Sequence, residues 1–323
     1  MKTIAKYRHG LPQGDGTLFL TDGGIETCLI FQDGLDLPLF AAFPLMRDAT
    51  GRQFLVRYYE RYIDIARINR MGFVLESPTW RASADWGARL GYSVADIAAV
   101  NADAIDLMHD LREAYETPAS PMVVSGCIGP RGDGYVPGEI MSEGEAGAYH
   151  ALQVNAFAEA GADMVTAITM TNTSEAIGIV RAAARVGMPV ALSFTVETDG
   201  RLPTGQTLAE AIMLVDEATA NGPAYYMINC AHPTHFQDAM QPDQGWMQRI
   251  RGLRANASRR SHKELNDSPD LDAGDPIELG GQYRDLVQAH PKMNVLGGCC
   301  GTDHRHVECI ALACKTVRAA KAA

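Results

Sequence analysis

Three of the seven cysteines stand where chemistry can be done. Cys230 closes the run Met227-Ile228-Asn229-Cys230-Ala231-His232-Pro233, and Cys299 and Cys300 close Leu296-Gly297-Gly298-Cys299-Cys300-Gly301-Thr302. Each sits where a strand-like apolar run enters a turn. Three thiolates suit Zn2+, which accepts sulfur ligands and takes four in all, so three protein ligands leave one position open, as in catalytic sites. Neighbouring residues on a regular strand point to opposite faces. For Cys299 and Cys300 to share an ion the backbone must leave strand geometry, and Gly297, Gly298 and Gly301 allow that. The competing account is a buried vicinal pair beside a tight turn, with Cys230 unrelated. His232, His304 and His306 are rival ligands. His232 is expected behind the cluster, and His304 and His306, which open the last helix, are expected exposed or capping. Cys28, Cys127, Cys309 and Cys314 lie among apolar neighbours and are expected to pack in the core. An odd cysteine count in a chain of this size argues against a disulfide framework.

The elements that must position these sulfurs alternate along the chain. Strand-like runs occur at 17–20, 72–76, 122–127, 164–169, 190–195, 224–229, 252–256 and 294–296. Helical patterns fall between them at 54–71, 93–116, 144–160, 174–186, 207–220 and 280–289, with a last one at 304–320. Phrases such as Ala183-Ala184-Arg185-Val186-Gly187-Met188-Pro189 have the helix–Gly–strand form of αβ connections. Alternating strands and helices imply a parallel sheet. Eight units over this length predict a single (β/α)8 TIM barrel domain, residues 1–323. All strand C-termini then meet on one face, and strands six and eight lie close enough for the three thiols to converge. Two stretches break the rhythm: a Gly-rich loop at 129–144, and a polar excursion at 254–281.

Composition narrows the function classes. At 46% hydrophobic and 21% charged the chain is too apolar to be disordered. A net charge of -11 argues against a nucleic-acid partner, which needs a basic surface. No run approaches the roughly 18 apolar residues of a membrane span. The first ten residues carry charge without an apolar stretch behind them, so a cytoplasmic protein is expected. Partners are expected to be small molecules; a homo-oligomer is compatible with the sequence.

At the cysteine motifs the sequence resembles the zinc-dependent homocysteine S-methyltransferase family. The resemblance also runs through Thr21-Asp22-Gly23-Gly24-Ile25-Glu26-Thr27, Thr79-Trp80-Arg81-Ala82-Ser83, Ser125-Gly126-Cys127-Ile128-Gly129-Pro130, Ser193-Phe194-Thr195 and Ile228-Asn229-Cys230, covering nearly the whole chain. It implies a (β/α)8 barrel whose zinc ligands, and catalytic residues, are Cys230, Cys299 and Cys300. It also implies transfer of a methyl group from a sulfonium or quaternary ammonium donor to a zinc-bound thiol, homocysteine giving methionine. Asp22, Gly23 and Gly24 are expected to contact the amino-acid part of the acceptor. Trp80 could face a methylated cation, Asn229 could orient a thiolate, and Thr79 and Arg81 are weaker candidates.

Two residues depart from the family pattern. Ile168 stands where a Glu would hold the acceptor's ammonium, and Met227 stands where Gly is usual. An ammonium left unpaired in a closed site is costly. Either another carboxylate replaces that Glu, with Glu76 and Glu26 the candidates, or the acceptor is a different thiol. Competing classes are a zinc hydrolase, for which three thiolates make the metal a poor Lewis acid, and a redox-sensing zinc barrel without catalysis.

Overall fold

A computed structural model describes residues 4–240 and 244–322, with the side chains of 318–322 left aside. Eight parallel strands close into a barrel in sequence order: β1 (Phe19–Leu20), β2 (Gly72–Glu76), β3 (Met122–Ile128), β4 (Met164–Met170), β5 (Val190–Phe194), β6 (Tyr225–Asn229), β7 (Ile250–Ala255) and β8 (Val295–Gly298). Closure comes from β1 against β8, with Phe19 beside Val295 and Leu20 beside Leu296. The helices are α1 (Ile25–Phe31), α2 (Ala49–Asn69), α3 (Ala84–Arg89), α4 (Val94–Tyr115), α5 (Glu143–Glu159), α6 (Thr173–Arg185), α7 (Leu208–Thr219), α8 (Pro233–Phe236), α9 (His262–Asn266), α10 (Pro276–Ala289) and α11 (His304–Ala322). The predicted TIM barrel is therefore the observed architecture. No helix among the described residues is long and apolar enough to cross a membrane.

Local signals in the sequence place the helix ends. Ser93, Ser142 and Thr207 each accept a hydrogen bond from the amide three residues on. Asp96, Glu145 and Glu210 reach back to complete the capping boxes. Asp275 caps α10 and Pro276 opens it, so this helix begins four residues before the expected 280. The excursion expected at 254–281 is correspondingly shorter. Arg254 and Ala255 belong to β7, and residues 256–275 form an ordered segment that includes α9.

Period-two alternation sorts the barrel interior into layers. The lower layer is apolar: Phe19, Val74, Val123, Met164, Ala191, Tyr225, Met227 and Val295 pack together. Met227 belongs here, pressed against Gly252 on β7, whose missing side chain makes room for it. Two residues further along the strands the inward positions turn polar, with Glu76, Ser125, Thr166, Ser193, Asn229 and Arg254. The site stands on this polar layer.

Candidate active site

The three sequence-selected cysteines converge. Their sulfurs all lie within 4.8 Å of one another, at the C-terminal ends of β6 and β8. The Cys230 and Cys300 sulfurs are 4.0 Å apart. Those of Cys230 and Cys299 are in direct contact, with Cα atoms 5.4 Å apart. A tetrahedral ion with Zn–S bonds of about 2.3 Å holds its sulfurs roughly 3.8 Å from one another. As thiolates, the three sulfurs fit zinc in number, softness and reach.

Backbone conformation makes the convergence work. Cys230 adopts a left-handed φ of 54°, a region a residue with a side chain enters only when its surroundings hold it there. After Gly298 the chain turns: the Thr302 amide donates to Cys299 O (3.1 Å), and Gly301 takes φ 78°. Of the three glycines expected to free the backbone, Gly301 does so by its left-handed conformation. Gly297 and Gly298 remain in β8 and admit the side chains of Thr21 and Thr302.

A layer of side chains holds the sulfurs from behind. The Asn229 amide oxygen accepts from Ser193 Oγ (2.7 Å) and from the Thr169 amide (2.9 Å). Its Nδ2 donates to Thr169 Oγ1 (2.8 Å) and stands 3.9 Å from Cys299 Sγ. Thr169 is itself left-handed, at φ 63°, pinned by that amide. Asn229 is fully buried and supports the cluster from below.

The sequence offered no cue for two further supports. Tyr135, in the loop after β3, places its hydroxyl 3.4 Å from Cys300 Sγ. Its ring stacks on His262 of α9, centroids 3.9 Å apart. His262 Nε2 lies 2.6 Å from Cys230 O and Nδ1 lies 3.2 Å from Glu197. One aromatic stack thus braces two of the three cysteines. Burial pushes the Cys300 thiol up, while the Tyr135 hydroxyl pulls it down; a thiolate there calls for a nearby cation.

Arg254 is the third residue missed by sequence reasoning. It points inward from β7 and spans the barrel mouth. Its Nη2 pairs with Asp22 (2.6 Å), Nη1 pairs with Glu76, and Nε donates to Gly298 O (2.9 Å). Tyr58 also donates to Asp22 (2.8 Å). Burial pushes both carboxyls up and the guanidinium draws them back. Burial works against the charge on Arg254, and Asp22 and Glu76 together hold it on.

The remaining predicted contacts divide. Asp22, Gly23, Gly24 and Trp80 line the cavity of about 390 Å³ that contains the sulfurs. The Gly24 amide, however, donates to Thr302 O (3.0 Å), and a Cβ on Gly24 would come within 2.5 Å of Cys299 O. The glycines let the β1 loop pack directly on the cysteine turn. The Trp80 indole packs beside Gly129 and Gly134. Thr79 does not line the cavity: it is fully buried and donates to Cys127 O (2.8 Å). Ile168 is a wall of the cavity, with no charge to offer. His232 caps α8 through Thr234, and burial lowers its pKa to about 4. His306 is fully buried between Asp303 and Ala273 O rather than exposed, because α11 packs its first turn inward. Ser258, Leu265, Ser268 and Leu271 of the 256–275 segment wall the mouth.

The homocysteine S-methyltransferase family model matches residues 19–314, from β1 into α11 and across all three cysteines. The chain belongs to the homocysteine S-methyltransferase family. It is a methyltransferase by that membership. Its fold is also that of the Escherichia coli homocysteine methyltransferase MmuM. The metallated form is 19% identical at a TM-score of 0.72, covering 92% of this chain and 96% of that one. The oxidised form is 21% identical at a TM-score of 0.74, covering 95% and 99%. No curated protein sequence matches. The matched span takes in Cys230, Cys299 and Cys300 together with Glu26, Ile168 and Arg254.

Proposed function

We propose that this chain moves a methyl group from a sulfonium or quaternary ammonium donor to the thiol of homocysteine, with Cys230, Cys299 and Cys300 as the zinc ligands. The observation that carries the reading is the convergence of these three sulfurs in a cavity at the C-terminal end of the barrel. Zinc, when bound there, supplies the charge that keeps a thiol deprotonated at neutral pH.

The chain's own residues then orient and enclose. Asn229 Nδ2 stands 3.9 Å from the Cys299 sulfur and the Tyr135 hydroxyl 3.4 Å from that of Cys300, within reach to donate to each as a thiolate. The 256–275 segment and the Tyr135 loop narrow the mouth and exclude water, so the acceptor sulfur meets the donor methyl in line. The sulfur lone pair forms the new S–C bond as the donor's C–S+ or C–N+ bond breaks. That bond's electron pair stays on the leaving atom, which departs neutral, so no general acid is required. The acceptor's proton leaves to solvent before transfer. Trp80 lies against this space as the aromatic wall available to a methylated cation.

The test is a donor-by-acceptor assay on reduced, zinc-loaded protein, reading the methyl thioether by mass. S-methylmethionine, S-adenosylmethionine, betaine and dimethylsulfonium compounds are the donors to compare. Cys299→Ala is expected to lose both the metal and turnover. Full activity in a metal-free variant would refute the reading.

A further inference from the structure

The cavity holds more acid than the reaction consumes. Asp22 and Glu76 are committed to Arg254. Asp272 accepts from Ser258 Oγ (2.7 Å) and lies 3.5 Å from Arg260. Asp133 accepts from the Tyr135 amide (2.8 Å) and lies 3.9 Å from Arg81. Asp270 stands exposed at the mouth. Glu26 is left over. It lines the cavity, and among the described residues it forms no ion pair within 4.0 Å and no hydrogen bond to another side chain. Burial pushes its carboxyl up to about 7, and Arg81 and Arg254 act on it only at a distance. A carboxylate held in this way lacks a counter-cation, and Ile168 in the same cavity supplies nothing to replace it.

Arg81 is the complementary group. Its guanidinium lies 3.8 Å over the Trp86 ring and 4.9 Å from the Trp80 ring, which fix its plane. It also lines the cavity; its Nη1 donates to Leu39 O and its Nη2 lies 3.9 Å from Asp133, which leaves Nε buried without a partner. A negative group and a positive group therefore share one cavity, close enough to feel each other and too far apart to pair. A ligand that carries both charges complements such a pair.

We infer that Glu26 takes the ammonium of an amino-acid acceptor and that Arg81 faces its carboxylate, so that these two residues set the acceptor specificity of the site. The assignment rests on the thiol-methylation reading above. It explains how the site manages without a carboxylate at position 168: the charge has moved to the first turn after β1, because Arg254 has already taken Asp22. The ammonium relieves an unpaired, half-buried carboxylate, and the carboxylate relieves an unpaired ammonium, each otherwise costly. A thiol without the amino group leaves Glu26 unpaired.

Two measurements on the full chain test this. Calorimetry with L-methionine, the thioether this acceptor would yield, reads binding without turnover; 4-(methylthio)butanoate is its analogue lacking the ammonium. Kinetics with homocysteine and 4-mercaptobutanoate read discrimination. Glu26→Gln is expected to weaken methionine binding and raise the homocysteine KM about tenfold or more. The donor KM should stay within about twofold, and the preference over 4-mercaptobutanoate should collapse. Glu26→Asp, which keeps the charge, should retain part of that preference. Arg81→Lys should weaken both acids alike. Unchanged methionine binding and unchanged discrimination in Glu26→Gln would overturn the assignment while leaving the methylation reading intact. So would a rise in the donor KM instead of the acceptor's. If the wild type methylates no thiol with any donor, the methylation reading fails and this assignment falls with it.

Discussion

Arg254→Met is the perturbation whose consequence the structure defines best. The guanidinium is buried, and it ties the ends of β1, β2 and β8 to β7 through Asp22, Glu76, Gly23 O and Gly298 O. Methionine fills much of the same space but leaves two carboxyls facing each other without a cation. Breaking a buried ion pair by removing one partner costs about 3–5 kcal/mol. The cost depends on pH with a definite sign. Burial already raises both carboxyls above their ordinary values with the arginine present. Without it they rise further, so the folded variant binds protons more tightly than its unfolded chain. Stability is then fully present at low pH and is lost as pH climbs through the raised values. Urea denaturation of wild type and variant at pH 5.5 and pH 8 reads this directly. The deficit should approach the full range at pH 8 and shrink at pH 5.5. Adding Glu76→Leu should recover part of it, since one stranded charge is gone. A variant within about 1 kcal/mol of wild type at pH 8, or a deficit equal at both pH values, would refute the argument that Arg254 neutralises this pair.

Asn229→Ala should lower kcat about 10–100-fold while metal content by mass spectrometry stays near one ion per chain, because the amide positions Thr169 and Cys299 without ligating. Glu26→Gln should flatten the pH dependence of stability in the ligand-free protein. The carboxyl moves from 4.5 to about 7 on folding, so its stabilising contribution is complete below about pH 4.5 and lost by about pH 7. At ~1.4 kcal/mol per pH unit that is about 3 kcal/mol, reduced by solvent in the cavity to about 1–2 kcal/mol. Thermal melts at pH 5 and pH 8 check it, and parallel profiles would contradict it. Gly24→Ala should cost about 1–3 kcal/mol, because the added methyl meets Cys299 O and Thr27 Oγ1 at 2.5 Å. Weaker zinc retention in a competitive chelator titration should accompany that loss.

Much of this protein can be read along the chain. The alternation of apolar runs and capped helical patterns specifies eight βα units, because helix caps and strand periodicity are local properties. The thiols of Cys230, Cys299 and Cys300 stand out by residue type and by their turns. Closure of the barrel then brings residues 69 positions apart into one cluster. What lies around that cluster was not legible. Arg254 reads locally as the charged end of a strand, yet its partners lie 178 and 232 residues away. Tyr135 reads as loop, yet it reaches a sulfur 165 residues on. Glu76 and Glu26 are equal candidates as letters in a sequence, and they differ only because an arginine from the opposite side of the barrel reaches one and not the other. Residue type and period are written into neighbours along the chain, while charge pairing depends on which side chains the closed barrel brings within a few ångströms of each other.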